Sequence, residues 1–415
     1  MQSLRVNGER LWVTIMETAR FGATPGGGIT RLTLSDEDRD ARDWFVARCK
    51  AIGCTVTVDE VGSIFARRPG FNNTRQPIAF GSHLDTQPSG GKFDGVAGVL
   101  VGLEVLRTLD ENHVTTPTPL ELINWTNEEG SRFAPTMIAS GAFASIYTTE
   151  YAHGLKDRQG KTFRGELERI GYLGDRPAGG HQLAAYFELR IEQGPILDQE
   201  GITIGVVTGA QGQRWYEVNV QGRGSHAGST PMHVRRDATL ACAKITDGVN
   251  RIALNHAPSG MATVGLVEVR PNSRNVIPGH VFFTVDLRHP DGDVLLAMHR
   301  EFESLTSSVA RETRTDISTE CVLDLVPTRF DERCVNTVRE VAERLQYSHR
   351  DIVSGPGHDA VNVARVAPAA MVFVPCVGGI SHNEVEAVRQ DDLIAGANVL
   401  LHAVLEYDRR SADAA

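Results

Sequence analysis

The 415-residue sequence has no long apolar segment, no paired cysteine motif and no excess of positive charge. No apolar run approaches the ~18 residues that a membrane-spanning helix requires, so we expect no membrane partner. The six cysteines are scattered without a C-x-x-C pair, which argues against a zinc knuckle or a redox centre. Charged residues interrupt the first 21 residues, unlike the basic and then apolar layout of a signal peptide, so we expect a cytoplasmic protein.

The net charge of the chain indicates which kinds of molecule it is expected to bind. Asp and Glu total 52 against 42 Lys and Arg, which gives a net charge of -10. Because clustered basic residues drive binding to phosphate backbones, nucleic acid is not an expected partner. A hydrophobic content of 41% and a charged content of 23% are typical of a globular protein, and the length predicts two domains. A small-molecule substrate fits this composition best.

Apolar runs and helical patterns alternate over much of the chain. Short apolar runs at Ile78–Phe80, Leu120–Trp125 and Met371–Val374 predict strands. Longer helical patterns lie between them, as at Gly95–Leu109, and Ser35 is the predicted N-cap of another helix. This alternation predicts an α/β sheet covered by helices.

In the middle of the chain, apolar residues instead alternate with polar ones. Val218 and Val220, and later Phe283 and Val285, follow a period of two, which predicts strands with one exposed face. Helical patterns accompany these strands. We therefore predict a second, α+β domain over residues 212–327, inserted into a first domain made of residues 1–211 and 328–415.

Three polar clusters follow predicted strands of the first domain. The first cluster contains His83, Asp85 and Asp94, the second contains Glu128 and Glu129, and the third contains His382. Imidazole and carboxylate groups suit zinc, manganese, nickel or cobalt, and open α/β sheets place their sites at the carboxyl ends of strands. One of two adjacent carboxylates can bind a metal while its neighbour accepts a proton, as metal-assisted hydrolysis requires. Taken singly, the first cluster also fits a polar loop, the second fits a solvated acidic turn, and the third fits an ordinary loop histidine.

Together and in this order, the clusters resemble the hydantoinase/carbamoylase family of amidases, which includes N-carbamoyl-L-amino acid hydrolases, beta-ureidopropionases and allantoate amidohydrolases. The resemblance spans nearly the whole chain. Its further motifs are Gly27–Leu32, Glu192–Pro195, Gln211–Trp215, Ser225–Gly228, Asn272–Gly279 and Ser354–Ala360. It implies an aminopeptidase-like α/β catalytic domain with a mixed sheet, and an inserted α+β lid or dimerisation domain through which the protein forms a homodimer.

The resemblance implies two divalent ions per subunit, of zinc, manganese, nickel or cobalt. His83 and Glu129 would be terminal ligands of different ions, and Asp94 would bridge them. His382 would bind the ion on the Glu129 side. Asp85 would orient His83, as carboxylates beside metal-binding imidazoles commonly do.

The same resemblance implies catalytic and substrate-binding residues. Glu128 would act as general base and later as acid toward the leaving nitrogen, and His226 would stabilise the oxyanion from a loop able to reach an active site. Arg288 suits a substrate carboxylate because a guanidinium can make two parallel charged hydrogen bonds, although the end of an alternating strand also fits an exposed arginine. The implied substrate-binding residues are Gln193, Asn275, Arg288 and Gly357.

One position departs from the family pattern. Where the family has a histidine ligand for the metal that His83 also binds, this chain has Arg190. A guanidinium has no lone pair to donate and stays protonated, so it cannot replace that ligand. We hypothesise that Arg190 fills part of the empty metal position and pairs with Asp94. The protein then works with one metal held by Asp94, Glu129 and His382, or is an inactive or weakened variant, or regains the missing ligand from an adjacent group.

The expected activity is hydrolysis of the ureido amide of an N-carbamoyl-L-amino acid or N-carbamoyl-beta-alanine to amino acid, ammonia and carbon dioxide. Allantoate is an alternative substrate, since it also presents a carboxylate near a ureido group. An aminoacylase or dipeptidase is a related alternative, against which Glu192–Pro195 weighs. From a different class, Arg190 would make the chain a catalytically impaired relative that binds a ureido acid without turnover.

Overall fold

The computed structural model describes residues 3–413, which form two compact units. Unit 1 contains the residues up to Gly209 and those from Arg329 onward, and unit 2 is Ala210–Thr328. The strands in chain order are β1 (Thr55–Val58), β2 (Ile64–Arg68), β3 (Ile78–His83), β4 (Leu120–Trp125), β5 (Ala185–Ile191), β6 (Ile204–Ala210), β7 (Gly212–Gln221), β8 (Ser225–His226), β9 (Met261–Arg270), β10 (Val276–Ile277), β11 (His280–His289), β12 (Asp316–Leu325), β13 (Thr328–Arg329), β14 (His349–Ser354) and β15 (Ala369–Val374). The α-helices are α1 (Gly8–Thr18), α2 (Asp36–Ala51), α3 (Val96–Glu111), α4 (Ile138–Phe143), α5 (Thr149–Gly154), α6 (Phe163–Ile170), α7 (Ile196–Glu200), α8 (Ala238–Asn255), α9 (Gly292–Thr313), α10 (Glu332–Arg344), α11 (Asp359–Val363) and α12 (Gln390–Asp413). A role of unit 2 as a lid or dimerisation domain stays a prediction.

Unit 1 is built on a mixed sheet. Within the described residues it has nine strands in the order β1-β2-β4-β3-β5-β15-β6-β13, with β14 beside β6. Strand β3 is parallel to β4 and β5, and β5 is parallel to β15. The pairs β1–β2, β2–β4 and β6–β15 are antiparallel. The predicted α/β class with a mixed sheet is therefore confirmed.

The central strands of this sheet are buried along their whole length. Every residue of β3, β4, β5 and β15 is buried, because helices pack on the sheet: α3 contacts β3, β4 and β5, and α12 contacts β5 and β15. Such burial explains why the apolar run at Leu120–Trp125 predicted β4 correctly. Strand β3 continues to His83 rather than ending at Phe80.

Helix α3 lies unusually close to the sheet because it carries glycines on the contact face. A Cβ atom on Gly98 would lie 2.4 Å from the Leu189 carbonyl oxygen and 2.7 Å from Ser82 Cβ. A Cβ atom on Gly102 would lie 2.4 Å from Leu122 Cδ1. The missing side chains let the two backbones approach each other. This close contact sets the position of the α3 amino terminus relative to the carboxyl end of β3.

Several helices of both units begin at side chains that accept hydrogen bonds from their first N–H groups. The predicted cap of α2 is confirmed, since the Ser35 hydroxyl accepts from Asp38 N at 3.2 Å. Asp237 caps α8 and Asp291 caps α9 in the same way. None of the helices between residues 3 and 413 combines the length and apolar character needed to cross a bilayer.

Unit 2 contains a four-stranded antiparallel sheet in the order β12-β7-β11-β9. Alternate residues of β11 are buried, among them Val281, Phe283 and Val285. They pack in one apolar cluster with Ile245 of α8 and Met298 of α9. The short strands β8 and β10 pair separately. The period of two in the sequence thus reflects a sheet with helices on one face.

Gly98→Ala is expected to destabilise unit 1, because the added methyl group would push α3 away from Leu189 and Ser82. Overpacking of a close-packed core costs about 1–3 kcal/mol. The matched control is Gly154→Ala in α5, where a Cβ atom meets nothing within 4 Å and the free energy of unfolding should change by less than about 0.5 kcal/mol. Urea denaturation followed by tryptophan fluorescence measures both variants. Equal unfolding midpoints would contradict the close approach of α3.

Candidate functional site

The site lies at one edge of the unit 1 sheet, where four parallel strands end. Strands β4, β3, β5 and β15 are neighbours that run in the same direction, so their carboxyl ends lie side by side. Open α/β sheets place their ligands at such ends. The side chains delivered there are His83 at the end of β3, Glu128 and Glu129 after β4, Arg190 near the end of β5, and His382 after β15.

Three of the predicted metal ligands meet at this edge. One ligand atom from each of Asp94, Glu129 and His382 lies within 4.8 Å of the other two. His382 Nε2 is 3.1 Å from Asp94 Oδ2 and 3.6 Å from Glu129 Oε2. Both carboxylates are buried, whereas the His382 side chain is 49% exposed. Solvent therefore reaches the cluster from the His382 side.

Two glutamine side chains contact the cluster. Gln193 Nε2 donates to Asp94 Oδ2 at 2.9 Å and lies 3.2 Å from His382 Nε2. Gln87 Nε2 donates to Glu129 Oε2 at 2.6 Å. Gln193, predicted to bind substrate, thus lies against two of the predicted metal ligands. No prediction included Gln87, although it lies between Asp85 and Asp94 in the chain.

Glu386, which no sequence motif marked, joins the Asp94 loop to the His382 loop. Its Oε1 accepts hydrogen bonds from the backbone N–H groups of Phe93 at 3.1 Å and Asp94 at 3.0 Å. Its Oε2 accepts from Ser381 Oγ at 2.8 Å. Burial, assisted by the charge of Asp94, raises the pKa of Glu386 to about 7. Glu386 therefore positions two predicted ligands without belonging to the ligand set.

The contacts of Asp85 refine the role predicted for it. His83 Nδ1 is 2.9 Å from the Asp85 main-chain oxygen and 3.5 Å from its carboxylate. That carboxylate accepts from Thr33 Oγ1 at 2.7 Å and from the backbone N–H groups of Glu128 and Glu129 at 3.4 and 3.3 Å. Asp85 orients His83 mainly through its main chain. Its side chain instead fixes the turn that carries Glu128 and Glu129.

Arg190 is buried at the centre of these groups, with 2% of its surface exposed. Its Nη2 donates to Asp94 Oδ1 at 2.7 Å, and its Nη1 donates to Glu128 Oε1 at 2.9 Å and Ser82 Oγ at 3.2 Å. Glu188 Oε1 lies 3.5 Å from the same Nη1. The hypothesised pair with Asp94 is present. The contact with Glu128 adds a partner that was not predicted.

The ionisable side chains of the site shift one another's pKa values. Burial opposes ionisation of Glu128, but the neighbouring cations outweigh it and hold the pKa of this carboxyl well below its usual range. Burial and the charge of Asp94 raise the pKa of Glu129 to about 8. A hydrogen bond with Asp94 raises the pKa of His382 to about 9, against the effect of burial. Without a bound ion, both shifts favour the protonated forms of Glu129 and His382.

His358 and Glu188 extend the polar network into the sheet. His358 is fully buried, and its Nδ1 is 3.8 Å from Glu128 Oε1. Burial lowers the pKa of His358, which favours the neutral imidazole. Glu188 Oε2 accepts from Ala360 N at 2.9 Å. His358 and Ala360 belong to the motif Ser354–Ala360, in which Gly357 was the predicted substrate-binding residue. Gly357 occupies an exposed position next to His358.

The other predicted residues belong to unit 2. His226 is exposed at the end of β8, and its Nδ1 accepts from Gly228 N at 3.1 Å. Asn275 directly precedes β10, and its main-chain oxygen accepts from Ala227 N, the residue after His226, at 2.9 Å. Arg288 donates to Asp286 Oδ2 from Nε at 2.9 Å and from Nη2 at 2.7 Å. The catalytic role of His226 and the substrate contacts of Asn275 and Arg288 stay predictions.

The side chains fit one divalent ion, and they do not fit a second one beside His83. Asp94, Glu129 and His382 supply two carboxylates and an imidazole, the donors that zinc and related transition ions prefer. His83 Nε2 is buried and has no hydrogen-bond partner among residues 3–413, as expected of a nitrogen directed at a metal. However, Arg190 stands where the family resemblance implies the second ligand of that ion, and a guanidinium has no lone pair to donate.

Comparison with known proteins shows similarity along nearly the whole chain. Residues 79–406 match peptidase family M20/M25/M40. N-carbamoyl-L-amino-acid amidohydrolase from Rhizobium meliloti is 48% identical over 405 residues, which cover 98% of this chain and 97% of that protein. Allantoate amidohydrolase from Escherichia coli strain K12 is 34% identical, with 93% and 95% covered. The crystal structure of a hydantoinase/carbamoylase family amidase from Burkholderia multivorans matches with a TM-score of 0.95 at 56% identity, with 98% of each chain covered.

Arg190→Met is expected to destabilise the metal-free protein. The change removes the cation that compensates Asp94 and Glu128, and breaking a buried ion pair costs about 3–5 kcal/mol. Urea unfolding in the presence of a chelator gives the measurement.

The control for this variant is Arg339→Met. Arg339 likewise makes two charged hydrogen bonds, but both go to the Asp351 carboxylate, at 3.1 and 2.8 Å, and lie on an exposed surface. Its loss should cost less than about 1 kcal/mol. A small and similar loss in both variants would show that Arg190 does not compensate buried charge.

Proposed function

The chain belongs to peptidase family M20/M25/M40 and to its hydantoinase/carbamoylase amidases, and from this membership we propose that it hydrolyses the ureido amide of N-carbamoyl-L-amino acids with the help of a bound divalent ion. As an amidohydrolase, it acts on C–N bonds other than peptide bonds. The observation that carries the proposal is the buried carboxylate of Glu128, which adjoins the cluster of Asp94, Glu129 and His382.

The proposed ion binds Asp94, Glu129 and His382, whose ligand atoms Gln87 and Gln193 contact. Bound there, zinc, manganese, nickel or cobalt would act as a Lewis acid toward the ureido carbonyl and would increase the acidity of water. The carboxylates are buried and His382 is half exposed, so we place the approach of the substrate on the His382 side of the cluster.

Glu128 is the proposed general base. It takes a proton from the water whose oxygen bonds to the ureido carbon, and gives that proton to the amino-acid nitrogen as the C–N bond breaks. Carbamate leaves and decomposes to ammonia and carbon dioxide. The contact with Arg190 at 2.9 Å keeps Glu128 ionised. The same contact lowers its basicity, because the guanidinium stabilises the charged form.

The family membership supports several further substrate contacts as part of the proposal. His226 accepts a backbone hydrogen bond at Nδ1, which leaves Nε2 as the proton-bearing nitrogen that would stabilise the oxyanion. Arg288 would bind the substrate carboxylate with the fork that now holds Asp286. Gln193, Asn275 and Gly357 complete the set. A cytoplasmic homodimer associated through unit 2 is part of the same proposal.

Two alternatives have specific support. Allantoate is an alternative substrate, since the Escherichia coli allantoate amidohydrolase is 34% identical over 389 residues. A relative that binds a ureido acid without turnover is a second candidate function, because Arg190 contacts the proposed base and fills a ligand position. The two alternatives differ in whether ammonia is released.

Ammonia release from N-carbamoyl-L-amino acids, N-carbamoyl-beta-alanine and allantoate tests the proposal in metal-loaded protein. The highest kcat/KM is expected for an N-carbamoyl-L-amino acid. Glu128→Gln should lower kcat by about 10²–10⁴-fold, because the base is removed. Glu343→Gln, at an exposed position of α10, is the control and should leave kcat unchanged. A substrate that raises the melting temperature without ammonia release would instead favour the binding relative.

A further inference from the structure

We propose that the guanidinium of Arg190 is the second cation of this site, so that the protein binds one divalent ion per chain where family resemblance implies two. The inference uses the ligand set of the proposed function and is independent of the substrate. It rests on three observations: the contacts of the two Asp94 oxygens, the buried hydrogen bonds of Arg190, and the environment of His83 Nε2.

Asp94 bridges two positions as a bridging metal ligand would. Its Oδ1 accepts from Arg190 Nη2 at 2.7 Å, and its Oδ2 lies 3.1 Å from His382 Nε2 on the other side. The Oδ2 side therefore belongs to the cluster with Glu129 and His382, and the Oδ1 side belongs to the guanidinium. One carboxylate thus faces a protein cation and a candidate ion position at the same time.

Arg190 is built into the sheet and held from several directions. It lies within β5, opposite Phe373 of the parallel strand β15. Its Nη1 donates to Glu128 Oε1 at 2.9 Å and to Ser82 Oγ at 3.2 Å. Ser82 in turn donates to Glu188 Oε1 at 2.8 Å. Because these partners are buried, the guanidinium has a fixed place, unlike a mobile surface arginine.

His83 retains the setting of a metal ligand beside this guanidinium. Its Nε2 is buried, has no hydrogen-bond partner in the described part of the chain, and lies 3.5 Å from Glu128 Oε2. Gly95, with φ +67°, leaves room for the ring, since a Cβ atom there would lie 2.2 Å from Nε2. An ion next to His83 would face the positive charge of Arg190, and like charges disfavour such close placement. Glu128 thus faces the guanidinium with Oε1 and His83 with Oε2, so the charge of Arg190 lies close to the position that an ion on His83 would take.

Metal stoichiometry tests the proposal without any substrate. Full-length protein is dialysed to equilibrium against Zn²⁺, and bound zinc is measured by mass spectrometry. The wild type should hold about one ion per chain, Arg190→His about two because the imidazole supplies the missing ligand, and Arg190→Lys about one because a cation is retained. Circular dichroism confirms that each variant is folded. Two ions in the wild type or in Arg190→Lys, or a single ion in folded Arg190→His, would overturn the proposal.

Removal of His382 locates the ion. His382→Ala should lose most zinc from the wild type, whereas Arg190→His combined with His382→Ala should keep about one ion on the His83 side. One tightly bound ion in the single variant His382→Ala would place the wild-type ion elsewhere and overturn the proposal. These results do not depend on turnover, so a protein that binds one zinc but releases no ammonia would contradict the proposed function alone.

Discussion

A guanidinium buried in a protein requires negative charge close by, and Arg190 has it in Asp94 and Glu128. A metal ion would neutralise the same carboxylates, but the two kinds of cation differ. The guanidinium is permanently charged and offers only hydrogen-bond donors, whereas a metal ion accepts lone pairs. Arg190 therefore compensates the charge of Asp94 and Glu128 without an ion, and it offers no lone pair to a metal.

The fold brings these groups together from distant parts of the chain. Adjacent parallel strands end at one edge of the sheet, which puts His83, Glu128 and Arg190 side by side. The close approach of α3 through Gly98 sets the position of its amino terminus next to that edge. Glu386 then binds the backbone at Asp94 and the hydroxyl of Ser381, so the two loops that supply the cluster are connected.

The sequence predicted three central strands of the sheet, β3, β4 and β15, and the side chains of Asp94, Glu129 and His382 that the structure brings together, because apolar runs mark buried strands and polar residues follow them. It did not predict β5 as a strand, since Glu188 and Arg190 interrupt the apolar pattern although both are buried. The partners of Arg190 beyond Asp94 depend on which strands are neighbours, and local sequence does not contain that information. Glu386 was not predicted, because it binds backbone N–H groups, and such contacts produce no recognisable motif of residue types in the sequence.

Anomalous diffraction from crystals equilibrated with zinc tests the role of Arg190 most directly. One anomalous peak per chain is expected, bound by Asp94, Glu129 and His382, with the Arg190 guanidinium still in contact with Asp94 and Glu128. Two peaks per chain, the second next to His83 with Arg190 turned away, would contradict the assignment of the guanidinium as the second cation.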